Sequence, residues 1–339
     1  MELERLLAHA VGGEGAGGVG QRGQAEGHGV SPDRRTKRGP RLPVEVGGAL
    51  SRVNRSGLPS GRAGPHRGDV SLSPIGAFAR AHDPDRFLCA LFAPAEAREA
   101  IFALIALNHE LARAREAATN PLAAMIRLQW WRDAVEEVRA GRPARRHEVA
   151  GPLAAVIAQG GLEPDDLIAL ADAREAEAEE EGLATEEAFV AWLRGTAGGW
   201  SAVAGRALGA SAEEAEVLRG LGAAYGLAGV LRSIAAHAGQ GRCLLPADRL
   251  ARAGLNAEAV IGAPDAPAVL DLRREMAAEG LTALARARRD VPRGLVAAAL
   301  PAVLARRDLA RLARGGALPQ GRGVGDRLVV MLAGLRGRV

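Results

Sequence analysis

The sequence predicts an all-helical fold, and three observations predict it. Ala, Leu, Arg and Glu, all helix formers, dominate the chain after residue 84. Apolar residues recur there at spacings of three and four, the repeat of one helix face, while strand-forming runs are few and aromatic residues make up only 3%. Helix-start signals precede the apolar runs: Asp83 or Asp85 before Phe87, Asn120 with Pro121, Thr185 with Glu186 and Glu187, and Ser211 before Glu213. At 339 residues, 48% hydrophobic and 25% charged, the chain has the material for one large core or two modest ones.

Residues 1–71 are a different material, Gly-rich and Pro-punctuated, with almost no large apolar side chains. Such a stretch cannot bury enough surface to offset chain entropy, so a disordered Gly/Arg-rich N-terminal extension is predicted. A basic docking arm and an upstream extension from a misplaced start codon are the alternative readings. The acidic Glu2, Glu4, Glu14 and Glu26 argue against a transit peptide, and the first ten residues lack the apolar core of a signal peptide.

The formal charge is +4, yet all but one of the 44 basic residues are arginine, which marks a composition bias. With no basic stripe interleaved with aromatics, no nucleic-acid partner is expected. The two cysteines, Cys89 and Cys243, have neither disulfide-framework nor zinc-ligand spacing, so a reducing, cytoplasmic location is expected. The apolar run 295–305 is too short to span a bilayer. Peripheral association with a membrane stays compatible with that.

The organising stretch is Arg98 to Glu137, read as two helices and a hinge. An apolar stripe at Ile101, Leu104, Ile105, Asn108, Leu111, Ala112 and Arg115 turns polar partway along. A second stripe holds Leu128, Trp131, Val135 and Val138, with Trp130 beside it as core or as the wall of a cavity. Further helices are predicted over 153–158, 164–180, 189–208, 213–237, 269–289 and 295–312, with a last amphipathic piece over 324–335. The acidic run 175–181 is spread around its helix and predicts a solvated face. Gly222, Gly226, Gly229 and Ser233 form a small-residue stripe.

The runs "REAIFALIALN" and "RLQWWRDAVEE" resemble the squalene/phytoene synthase family of head-to-head prenyltransferases. The stretch "LRSIAAHAGQGRCLLPADRLARAGL", with Arg232, Gly241, Arg242, Leu245 and Pro246, is similar to the family's second motif region. The form "ALNHELARAR" is similar to a divergent branch that includes an assembly factor of respiratory complex I. The resemblance implies an isoprenoid-synthase-like bundle over residues 72–337, with a central cavity smaller or more apolar than in active relatives.

Active members place an Asp-rich motif where this chain has Ala112, Arg113 and Glu116, and a second where it has Ser233 and His237. Ionising an allylic diphosphate calls for Mg2+ held by carboxylates one turn apart on facing helices. On this reading one carboxylate remains, and Arg113 opposes cations nearby. No metal or other cofactor is expected, Mg2+ entering only if the chain is an active prenyl transferase of terpenoid, carotenoid or hopanoid biosynthesis with rearranged ligands. Asn108, Glu110, Arg232 and Arg242 are the ligand-binding candidates, and His109 with His237 could take part in a softer metal site. The arginines read either as a phosphate clamp or as partners of buried carboxylates. Three functions therefore stay open: a non-catalytic binding or assembly module for respiratory complex I, a prenyl transferase, and an isoprenoid or lipid carrier.

Overall fold

The computed structural model describes Leu3 and residues 72–339, apart from 119, 179–182, 288–290, 317, 318 and 320. The chain divides into one unit of residues 1–13 and 72–339 and a second of residues 14–71, and the predicted extension falls outside the described residues except for Leu3, which is buried in the core. Among the described residues there are helices and turns and no strand.

The start signals act as caps. Ser73 accepts from the Gly76 amide and opens α1 (Pro74–His82), and Asp83, rather than Asp85, accepts from Arg86 and opens α2 (Pro84–Ala90). A 3-10 turn follows Pro94, and α3 runs from Arg98 to Glu116. Asn120 caps α4 (Pro121–Arg139) with Pro121 in its first turn. α3 is more than amphipathic: every residue from Ala100 to Asn108 is buried, so its first half is enclosed on all sides. It packs on α1, α4, α5 (Ala150–Ala158) and the later helix Gly199–Ala207.

The predicted helix 164–180 is shorter. α6 spans Pro164–Asp172, and the chain turns at Arg174 into a 3-10 segment, Glu175–Glu177. The helix from Thr185 is continuous but holds a π turn: α7 (Glu186–Leu193), the π segment Arg194–Gly198, then α8 (Gly199–Ala207). Ser211 and Glu214 form a reciprocal capping box for α9 (Ala212–Arg232). α9 ends at Arg232, five residues before the predicted end, and after Ser233 the short α10 (Ile234–Ala238) continues. α11 (Ala247–Arg252), α12 (Ala257–Gly262), α13 (Pro267–Ala287), α14 (Val296–Ala299), α15 (Pro301–Ala313) and α16 (Val324–Arg336) complete the chain.

α9 packs on α8, the π segment, α13 and α15, and glycines set how near it comes. A methyl group at Gly222 would lie 2.5 Å from the Ala197 carbonyl oxygen and 2.5 Å from Ser201 Oγ. One at Gly229, seven residues further along the predicted stripe, would meet nothing within 4 Å. The stripe thus splits into a packing half and an open half. Gly222→Ala is expected to lower stability by about 1–3 kcal/mol through overpacking, whereas Gly229→Ala should be neutral or stabilise by up to about 1 kcal/mol. Urea denaturation of the two variants measures the contrast.

Candidate functional site

The two helices singled out by sequence both line a central cavity of about 360 Å³, α3 through Ala112 and Glu116 and α9 through Gly226, Gly229 and Ser233. His237 of α10 and Arg242 beyond it also contribute. Ala112 and Glu116 share a face because they are one turn apart. Arg113 does not share it. With Glu110 it lines a separate recess of about 210 Å³ beside Trp130, Trp131, Arg127 and His147. The expected repulsion from Arg113 at the central site is therefore absent, since adjacent residues of a helix point about 100° apart. Trp131 is buried core and Trp130 packs edge-on against it, with Arg145 over its ring; neither lines the central cavity.

The cavity is charged rather than apolar. Its lining holds five arginines and four carboxylates, and all of them but Arg86 and Glu116 fall into two networks. At one side Asp308 of α15, with none of its surface exposed, accepts from Arg232 Nη1 at 3.0 Å and from Arg322 Nη1 at 2.7 Å. Arg322 Nε also donates to Asp85 at 2.7 Å. Burial works against the charge on Arg322, and Asp85 and Asp308 outweigh it, so its pKa lies above the ordinary value. Tyr225 stands beside Asp85, and burial first, then Asp83, push its hydroxyl pKa up.

At the other side Glu177 is the centre. It accepts from Arg174 Nη1 at 2.6 Å and from the Trp192 indole at 3.0 Å, and Arg242 Nη2 lies 3.5 Å away. Arg174 also donates to Asn108 Oδ1 at 3.1 Å, which satisfies the polar residue in the middle of α3. The acidic run is thus not a solvated face: Glu177 is buried and Glu175 pairs with Arg132, while residues 179–181 lie outside the described residues. Only Glu116 among the four cavity carboxylates has no arginine partner among the described residues.

The candidate histidines are separated. His109 stacks on His82 with ring centroids 4.3 Å apart and on Phe78, outside the cavity, and burial followed by His82 lowers its pKa. His237 lies in the last turn of α10, and burial, then Arg242, lower its pKa despite Glu177, which disfavours the imidazolium form. Among the described residues no group of three or more His, Cys, Asp or Glu side chains is placed to hold a metal ion.

Arg232 and Arg242, both candidates, are brought to the cavity; Arg232 is hydrogen-bonded to the buried Asp308, whereas Arg242 forms an ion pair with Glu177 at 3.5 Å with no hydrogen bond from its Nη2. Sequence reasoning missed Asp85, Arg174, Glu177, Asp308 and Arg322. Asp308 carried a signal: it falls one turn after Leu304 and one before Leu312, on the buried face of α15. That is the same interruption that marked Asn108.

Two measurements check this site. Asp308→Asn leaves Arg232 and Arg322 facing each other across a neutral group and should cost about 3–5 kcal/mol in urea denaturation. His237 should titrate by NMR below 6.5, and Arg242→Gln should move its midpoint upward. Because the folded pKa is the lower one, the stability contributed by neutral His237 is present above pH 6.5 and is lost as pH falls through the folded midpoint.

Residues 79–328 match the model of the squalene/phytoene synthase family. The complex I assembly factor 6 of Mus musculus is 26% identical over 226 residues, 66% of this chain and 67% of that protein. Its Homo sapiens counterpart is 32% identical over 96 residues, 28% of each chain. A solved dehydrosqualene synthase superposes with a TM-score of 0.62 at 12% identity, covering 77% of this chain and 94% of its own. The squalene synthase HpnC of Alicyclobacillus acidocaldarius does so with 0.52 at 16% identity, covering 78% and 92%.

Proposed function

The chain belongs to the squalene/phytoene synthase family, and within it we propose a non-catalytic member that uses the helical bundle as a binding module in the biogenesis of respiratory complex I. The observation that carries this reading is the state of the cavity carboxylates. Asp85 and Asp308 are bound by Arg322, Asp308 also by Arg232, and Glu177 by Arg174. Glu116 is left facing a cavity whose opposite wall offers Ser233 and His237.

Mg2+ needs several hard oxygen ligands with charge to spare. The residues present do not fit such a centre, because three of the four carboxylates already neutralise arginines and the fourth stands alone. The similarity to the assembly factors of Mus musculus and Homo sapiens supports the same reading.

Deleting the gene should lower the abundance and activity of complex I, and normal levels in the deletion strain would remove the assembly role. A separate assay addresses the chemistry. Incubating the purified chain with farnesyl or geranylgeranyl diphosphate and Mg2+ should release no diphosphate at high protein concentration, whereas release would establish a prenyl transferase with rearranged ligands.

A further inference from the structure

α16 turns an apolar face outward. Val324, Leu328, Met331, Leu332 and Leu335 are 74%, 50%, 43%, 47% and 76% exposed. At about 100° per residue these five fall within an arc of about 100°, spread over about 16 Å of helix. The opposite side is the docked one. Asp326 and Val330 are buried there, and Asp326 accepts from Arg307 Nε at 2.7 Å and Arg311 Nη2 at 3.0 Å. A surface helix ordinarily presents polar residues to water and apolar ones to the core. Here the anchor is an ion-pair cluster and the solvent side is aliphatic.

Charge at the edges of this face is of one sign. Arg327 borders one edge and Arg336 the other, Arg338 follows, and all three are exposed. Arg293, also exposed, packs against Gly337, where an added methyl would sit 2.6 Å from its Cγ. The only acid on the helix is the buried Asp326. Beside the helix, the ring of Phe92 lies beneath Gly334, and its neighbour Leu91 is 41% exposed, which extends the apolar patch.

The geometry points to α16 as a helix that lies in the surface of an anionic lipid bilayer, with its five aliphatic side chains among the acyl chains and its arginines at the headgroups. An aliphatic arc edged on both sides by arginine is the arrangement that such a position demands, since arginine can bury its stem and keep its charge at the headgroup level. The absence of exposed carboxylate on α16 matches a negatively charged surface. No helix among the described residues is long and apolar enough to cross the membrane, so the contact is with one surface. The inference does not depend on the assembly role, because a lipid vesicle contains no respiratory complex.

The test is co-sedimentation of the full chain with vesicles of phosphatidylcholine alone and of phosphatidylcholine mixed with phosphatidylglycerol. Binding to the anionic vesicles, weakened by salt, is expected, and Arg327→Gln with Arg336→Gln should weaken it about fivefold for each charge removed. Leu328→Glu with Leu335→Glu should abolish it, and because both side chains face solvent the variant should keep the wild-type circular dichroism and melting temperature. No binding, equal binding to neutral vesicles, or binding that survives the double glutamate variant overturns the proposal. So does lipid-free self-association that this variant removes, which would make a second copy of the chain the occupant.

Discussion

Asp308 sits on α15 with no contact with solvent, and the two guanidiniums that hold it come from separate parts of the chain. Arg232 is the last residue of α9, and Arg322 belongs to the segment that leads into α16. Through Arg322 the same network reaches Asp85 on α2. Four separate parts of the chain are therefore tied at one point. An unpaired charge at that depth would be strongly unfavourable, so each partner is obligatory once the others are buried.

The second network, around Glu177, works by the same rule on the other side of the cavity. Arg174 bridges Glu177 and Asn108, which joins the turn after α6 to the middle of α3. Between the two networks the cavity stays open because α9 carries glycine at Gly226 and Gly229 along that wall. The helix packs closely at Gly222, which rests against Ala197 of the π segment, and at Gly226, where an added methyl would lie 2.8 Å from Ala197 Cβ, while Gly229 is open. The π turn displaces the backbone by one residue there and brings Thr196 and Ala197 to the cavity, with Thr196 Oγ1 bonded back to the Trp192 carbonyl.

α16 is joined to this interior at its start. Arg322 lines the cavity only two residues before the helix, and Asp326 in its first turn is clamped by Arg307 and Arg311, which flank Asp308 on α15. The Asp326 carboxyl is held below its usual pKa because those two arginines overcome the burial penalty. One stretch of α15 thus fastens both the cavity wall and the outward-facing helix.

Helix content, most helix starts and the two helices that face the cavity were legible in the sequence, since caps and apolar periodicity are local properties. Asn120, Thr185 and Ser211 each cap the helix that their position announces. The positions Ala112, Glu116, Ser233 and His237 came from the resemblance to the squalene/phytoene synthase family, and all four line the same cavity. What tertiary structure alone decided is which charges meet. Arg113 and Ala112 are adjacent in sequence yet face different cavities, and Glu177, one of several acids in a polar run, is buried because Arg174, Trp192 and Arg242 converge on it. Spacing along one helix determines a face, but a partner from 76 residues away, as Arg232 is for Asp308, exists only when the bundle closes and desolvation makes the pairing compulsory.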